Sequence, residues 1–215
     1  MRLPLRPCRA FRIRLILAVI LPSMDLAVSA GDTTDLYPVR KGSLVCWTET
    51  RTTPRPLRIY YVRLDLTCSQ LKVITMTGED PDGGGPAESS LTRPGDLVAK
   101  FHPLAAINAN AFAGLPGTEK DIRGWYASRP VDIQGLAVSD GWGISPVESG
   151  RTPFWLDARN HPHLGDPEPS DSVRQAVSDW SSPLILNSRI VPDSTYTTLH
   201  PRTAIGFDDS GQWLL

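Results

Sequence analysis

Between residues 44 and 76 the chain alternates apolar and polar positions in the two-residue rhythm of strands. In RIYYVRLDL, Tyr60, Val62, Leu64 and Leu66 form one apolar face, and Ile59, Tyr61, Arg63 and Asp65 the other. Strands are expected over 44–48, 58–66 and 71–76, the first two joined across TRTTPRP. Further strands are read in LAAIN, ending at Asn108, in PFWLDA, and in LILN and RIV around a turn at Asn187 and Ser188. QGLAVSDGWGIS reads as a hairpin turning at Asp140 and Gly141. Two segments carry a helical period instead. Residues 94–102 begin with Pro and place Leu97, Val98 and Phe101 on one side. Residues 172–180 offer Ser172 and Gln175 as a capping box, with Val173, Ala176, Val177 and Trp180 as the stripe. The pattern predicts a single α+β domain with a mixed or largely antiparallel sheet and two or more short helices. Asp208 to Gly211 reads as a turn into a strand over 212–215, for which no downstream partner follows in the sequence.

The first thirty residues have a different character. Arg2, Arg6, Arg9, Arg12 and Arg14 form a basic stretch, residues 15–21 are unbroken apolar, and AVSA supplies small residues for cleavage before Gly31. The apolar run falls short of the roughly 20 residues of a spanning helix. Residues 1–30 are therefore expected to be a signal peptide, leaving 185 residues with no stable membrane span in a secreted or periplasmic protein. Residues 31–57 then form a lead-in and first strand, and 58–215 the main domain.

Removing five arginines and one aspartate with the leader moves the formal charge from −1 to −5. A mildly acidic chain lacks the electrostatic footprint of a nucleic-acid binder. In an oxidising compartment Cys46 and Cys68 are expected to form a disulfide, worth about 3 kcal/mol on the loop-entropy account. GEDPDGGGPAESS has neither the Lys-Ser/Thr ending of a phosphate loop nor dinucleotide spacing, and is read as an exposed turn. His161-Pro162-His163 is read as a solvated loop, because no third ligand stands at metal spacing. No metal ligand set is named by the sequence; a divalent cation stays open but unindicated, and the cofactors are unknown.

Three stretches carry the candidate chemistry. AAINANAF ends a buried strand at Asn108, SSPLILNSRIV enters a strand and a polar turn, and HPRTAIGFD places Arg202 at the mouth of another strand. In this order and spacing they resemble the phosphodiester glycosidase family over roughly residues 58–215. Pro201 to Gly206 matches that family's Pro-Arg-Thr-Ala-hydrophobic-Gly segment letter for letter, and Pro130 to Gly141 resembles its Pro-x-Gly strand with an Asp-Gly turn. Asn108 to Phe112 stands where the family has an Asn-Gly-Gly-aromatic segment, with Ala109 and Ala111 in place of glycines. The family pattern continues with an Asp-Gly-Arg strand and a Gly-rich Ser-Ser loop, neither of which is in this sequence. The domain is accordingly expected to be incomplete at its C-terminus and inactive by itself.

The resemblance implies hydrolysis of a sugar-1-phosphodiester at the glycosidic bond, on a sugar-phosphate or cell-envelope glycan. Arg202 and Asn108 are the expected catalytic residues, the guanidinium fork meeting the phosphate oxygens. Asn110, Thr203, Trp125 and Tyr126 are the expected substrate contacts, and Phe112 is expected in the core; the carboxylate that activates water is among Asp121, Asp132 and Asp140 or lies in the missing C-terminal segments. Two alternatives stand beside this reading: a non-catalytic carbohydrate-binding module, and a fragment with an incomplete sheet.

Overall fold

The computed structural model describes the backbone of residues 13–18 and, in full, residues 42–53, 55–118, 123–178, 183–191 and 201–215. In chain order the elements begin with β1 (Ile13–Ala18), β2 (Leu44–Arg51), β3 (Leu57–Asp65), β4 (Leu71–Met76) and β5 (Ser89–Ser90). Helix α1 (Pro94–Phe101) leads to β6 (Ala106–Asn108), β7 (Phe112–Gly114), β8 (Pro130–Ile133), β9 (Ala137–Ser139) and β10 (Trp142–Ser145). Then come β11 (Pro153–Asp157), β12 (Pro162–Leu164), β13 (Val173–Ser178), β14 (Ile185–Leu186), β15 (Arg189–Ile190) and β16 (Trp213–Leu214). The sheets are mostly antiparallel, and α1 is the one helix among the described residues. The fold is mixed α and β, with fewer helices than the sequence pattern suggests.

The difference lies in 172–180. Residues 173–178 are strand β13, seated between β9 and β11 in a five-stranded sheet ordered β10-β9-β13-β11-β12. Gln175, Ala176, Val177 and Ser178 are all buried, so both faces of the strand are covered. A strand covered on both faces carries apolar residues on each, and their spacing then imitates a helical stripe. The supposed cap residue is used otherwise. Gln175 Oε1 accepts from the Thr75 N–H at 2.7 Å, and its Nε2 donates to Asp140 Oδ1 at 2.8 Å.

The β2–β3 hairpin runs in register from Leu44 opposite Leu64 to Arg51 opposite Leu57. Leu44 and Leu64 reach the core, whereas Tyr60, expected on the same face, is 50% exposed because the distal hairpin outruns the core. The strand after the Asp208–Gly211 turn finds its neighbour far upstream. In β16, Trp213 pairs with Asp65 and Leu214 with Leu64 of β3. The turn at Asp140 and Gly141 has positive φ at both residues (50° and 83°), the signature of the primed turn that suits strand twist.

Cys46 and Cys68 are free thiols, contrary to the expected disulfide. Cys46 stands opposite Val62 in the hairpin, while Cys68 lies past the end of that ladder, in the core with Leu66, Leu71 and Leu156. Burial pushes the Cys46 thiol up, away from the thiolate form.

One core joins the layers: Leu44, Leu64 and Leu214 from the hairpin sheet, Leu71 and Val73 from β4, and Phe154, Leu156 and Val177 from the five-stranded sheet. Helix α1 adds Leu97, packed on Ile74 and Met76. It ends where His102 turns left-handed (φ 46°) and returns its N–H to the Val98 carbonyl.

Replacing Gln175 with Leu keeps the volume but leaves the buried Thr75 N–H unpaired. A loss of about 1–3 kcal/mol is expected, read as a lower urea midpoint at unchanged slope. An unaltered midpoint would show that the Gln175 bridge contributes nothing.

Candidate functional site

β6 is an edge strand of the three-stranded sheet ordered β4-β1-β6, all parallel. Its alternation decides what Asn108 does. Ile107 and Ala109 pack against the core, so Asn108 between them is turned out to solvent at the carboxyl end of the strand. Ligands of parallel sheets gather at that end, outside the strand termini.

The Pro-Arg-Thr-Ala stretch arrives there from the other end of the sequence. Residues 201–206 form no regular element, with Ile205 packed on the core. Gly206 and Leu215 exchange both backbone hydrogen bonds at 2.8 Å, and Phe207 bridges to Leu214, tying the segment to β16. Thr203 Oγ1 donates to Asn108 Oδ1 across 95 residues of sequence. Arg202, adjacent and exposed, directs Nη1 toward the Pro201 carbonyl at 3.4 Å. Thr203 and Asn108 thus meet at the surface, with Arg202 the exposed residue next to Thr203.

Asn110 is placed differently. It is 3% exposed, its Nδ2 lies 3.1 Å from the carbonyls of Gln134, Gly135 and Leu136, and its Oδ1 accepts from the Ser178 N–H at 3.1 Å. The amide is spent inside the fold, clamping the 134–136 turn to β13. Gly135 sits in that clamp at φ 79°, and a Cβ there would lie 2.7 Å from Ser178 Cβ.

Trp125 is 49% exposed, meets the edge of Phe112 at 5.1 Å, and has the Arg129 guanidinium 4.4 Å from its ring centre. Tyr126 is half-buried beneath the Arg123 guanidinium at 4.3 Å. One face of each ring is therefore covered by an arginine. Arg129 itself is buried and donates to the Gly124 and Thr118 carbonyls, fixing the loop that carries Trp125.

Of the three aspartates, Asp121 lies outside the described residues. Asp140 lines a cavity of about 190 Å³ at the carboxyl end of β4, with Thr75, Met76 and Phe101. Its oxygens are occupied by Lys72 Nζ at 2.6 Å and Gln175 Nε2 at 2.8 Å, with Arg174 at 3.6 Å. Partial burial pushes this carboxyl up, but Lys72, Arg174 and Gln175 outweigh it and hold it below the usual range. A carboxylate so engaged is a poor base. Asp132, on β8 opposite Ala113, stands beside Glu88, whose Oε2 accepts from the Ile133 N–H at 2.7 Å. Burial raises the Glu88 carboxyl, and the Asp132 charge adds to it against that N–H.

No family model, curated protein or solved structure matches this chain. Its site rests on its own geometry.

The His161-Pro162-His163 segment is not a free loop. Pro162 and His163 belong to β12, and the His163 ring stacks on Trp155 at 3.9 Å. His161 Nδ1 lies 3.1 Å from Asp157 Oδ2, yet no group of three or more metal-ligating side chains is assembled among the described residues. Sequence reading also passed over an aromatic face on the hairpin sheet. Trp47 stacks on Tyr61 at 4.7 Å and 11°, and Arg63 lies 4.6 Å over the Trp213 ring. Its signal was in the second face of RIYYVRLDL, where Tyr61 and Arg63 alternate.

Glu88 gives a signed pH test. Its folded value exceeds the unfolded one, so its contribution is most favourable at low pH and is lost as pH rises through the range above about 4.3. Glu88→Gln keeps an acceptor for the Ile133 N–H and removes the charge facing Asp132. At pH 7 the variant is expected to match or exceed the native urea midpoint, with a smaller difference at pH 4. A variant clearly less stable at pH 7 would show that the charged form is favoured.

Proposed function

We propose that this chain is a phosphodiester-glycosidase-like domain whose Asn108, Thr203 and Arg202 bind the phosphate-bearing end of a sugar-1-phosphodiester. The observation that carries the reading is the Thr203–Asn108 hydrogen bond, which unites two of the three stretches on which the family resemblance rests. With Oδ1 taken by Thr203, Asn108 presents its amide N–H groups as donors, and Arg202 adds a fork suited to phosphate oxygens. A phosphate leaves as a stabilised anion, so donors that meet its developing charge serve the reaction more than a strong general acid does. Asp140 is engaged, so Asp132 is the described candidate of the three for activating water, and the family's later segments are the other source of that carboxylate.

A second reading is binding without turnover, and the exposed aromatic face favours it. Trp47, 39% exposed, with Tyr61, Trp213 and Arg63, offers apolar ring edges and a cation of the kind that hold a glycan.

Calorimetric titration with glucose-1-phosphate methyl diester, together with an assay for released free sugar, separates these readings. Arg202→Ala and Thr203→Val are each expected to weaken binding about tenfold or more, the value of one charge-assisted contact. Asp132→Asn is expected to retain binding, because that carboxylate is assigned to water and not to the ligand. Undiminished binding by Arg202→Ala would contradict the proposal. Loss of glycan retention in Trp47→Ala alone, with no binding of the phosphodiester by the native chain, would favour the second reading.

A further inference from the structure

The central strand of the parallel sheet is β1, and it comes from the segment read as a leader. Its six residues run in unbroken register with β4, from Ile13 opposite Leu71 to Ala18 opposite Met76, and its last three pair with 106–108 of β6. Among the described residues, β4 and β6 have no other ladder partner. The other edge of β4 is met at Thr75 by side chains: the Thr75 N–H goes to Gln175, and the Thr75 carbonyl accepts from Ser139 Oγ at 2.7 Å. Successive residues of a strand turn their N–H and C=O to opposite edges, so Ile74 and Met76 look to β1 for partners. Both are buried, away from water that would substitute.

We infer that the space between β4 and β6 is a strand-acceptor site, and that Ile13–Ala18 is its occupant. The leader is a fold-completing strand as well as an export signal. Docking and cleavage then compete for one segment. Cleavage after Ala30 takes away the middle of the sheet and opens two facing strand edges to parallel addition of an apolar segment. This inference is independent of the sugar-phosphate reading, since β1 contributes backbone pairing and no proposed ligand contact.

Two measurements test it. In the full chain, Ile16→Pro removes an N–H from the middle of β1 and is expected to lower the melting temperature by several degrees. The chain of residues 31–215 is expected to bind a hydrophobic dye and unfold without cooperativity, and to regain a sharp transition when the synthetic peptide of residues 11–20 is added. An Ile16→Pro chain that melts like the native one overturns the inference. So does a 31–215 chain that unfolds cooperatively with no peptide present, or one that the peptide does not stabilise.

Discussion

The rest of the structure depends on how the backbone of β4 is hydrogen-bonded. Five of its six residues are buried, and a buried N–H or carbonyl without a partner costs about as much as a large fraction of a domain's net stability. One edge is met by a strand, and at Thr75 the other is met by the side chains of Gln175 and Ser139. Those two contacts fasten the parallel sheet to the five-stranded one where no ladder joins them. Asn110 does the same work nearby, holding the 134–136 turn and the Ser178 N–H with a single amide. Buried polar side chains substitute for strand pairing at the seam between sheets.

That seam positions the candidate site. With β4 fixed, β6 runs parallel in the same sheet and ends at Asn108, its neighbours Ile107 and Ala109 held in the core. The 201–206 segment is registered independently, through β16 on β3 and the Gly206–Leu215 pair. Two anchored backbones therefore bring Thr203 and Asn108 together without either lying on a mobile tip. The polar groups fall into separate roles. Asp140 with Lys72 is held by its ion pair, and Arg129 is enclosed by loop carbonyls, while Asn108, Thr203 and Arg202 face solvent.

Much of this was legible in the sequence, for identifiable reasons. The hairpins at Asp140–Gly141 and Asn187–Ser188, the α1 boundaries and β4 follow from turn chemistry, a leading proline and an apolar run. β13 was misread because burial on both faces erases the two-residue period, and the Ser172–Gln175 spacing matches a capping box by coincidence. The β3–β16 pairing could not be read, since pairing between distant segments leaves no local periodic signal. Within the site, Asn108, Thr203 and Arg202 come from motif likeness; a hydrogen bond joins Thr203 to Asn108, and Arg202 is the exposed residue beside Thr203 in the chain. Asn110 belongs to the same motif, but it lies past the end of β6 and its amide is buried against the 134–136 carbonyls and Ser178. The Cys46–Cys68 pairing came from compartment alone, and the hairpin register keeps the two thiols apart.

Native-state hydrogen exchange of the β4 amides in the full chain tests the central claim most directly. The account predicts that Ile74, Thr75 and Met76 exchange only through global unfolding, far more slowly than the exposed glycines at 83–85. Exchange of Ile74 and Met76 at the rate of those loop glycines would contradict it, because a buried strand with satisfied edges cannot open locally so readily.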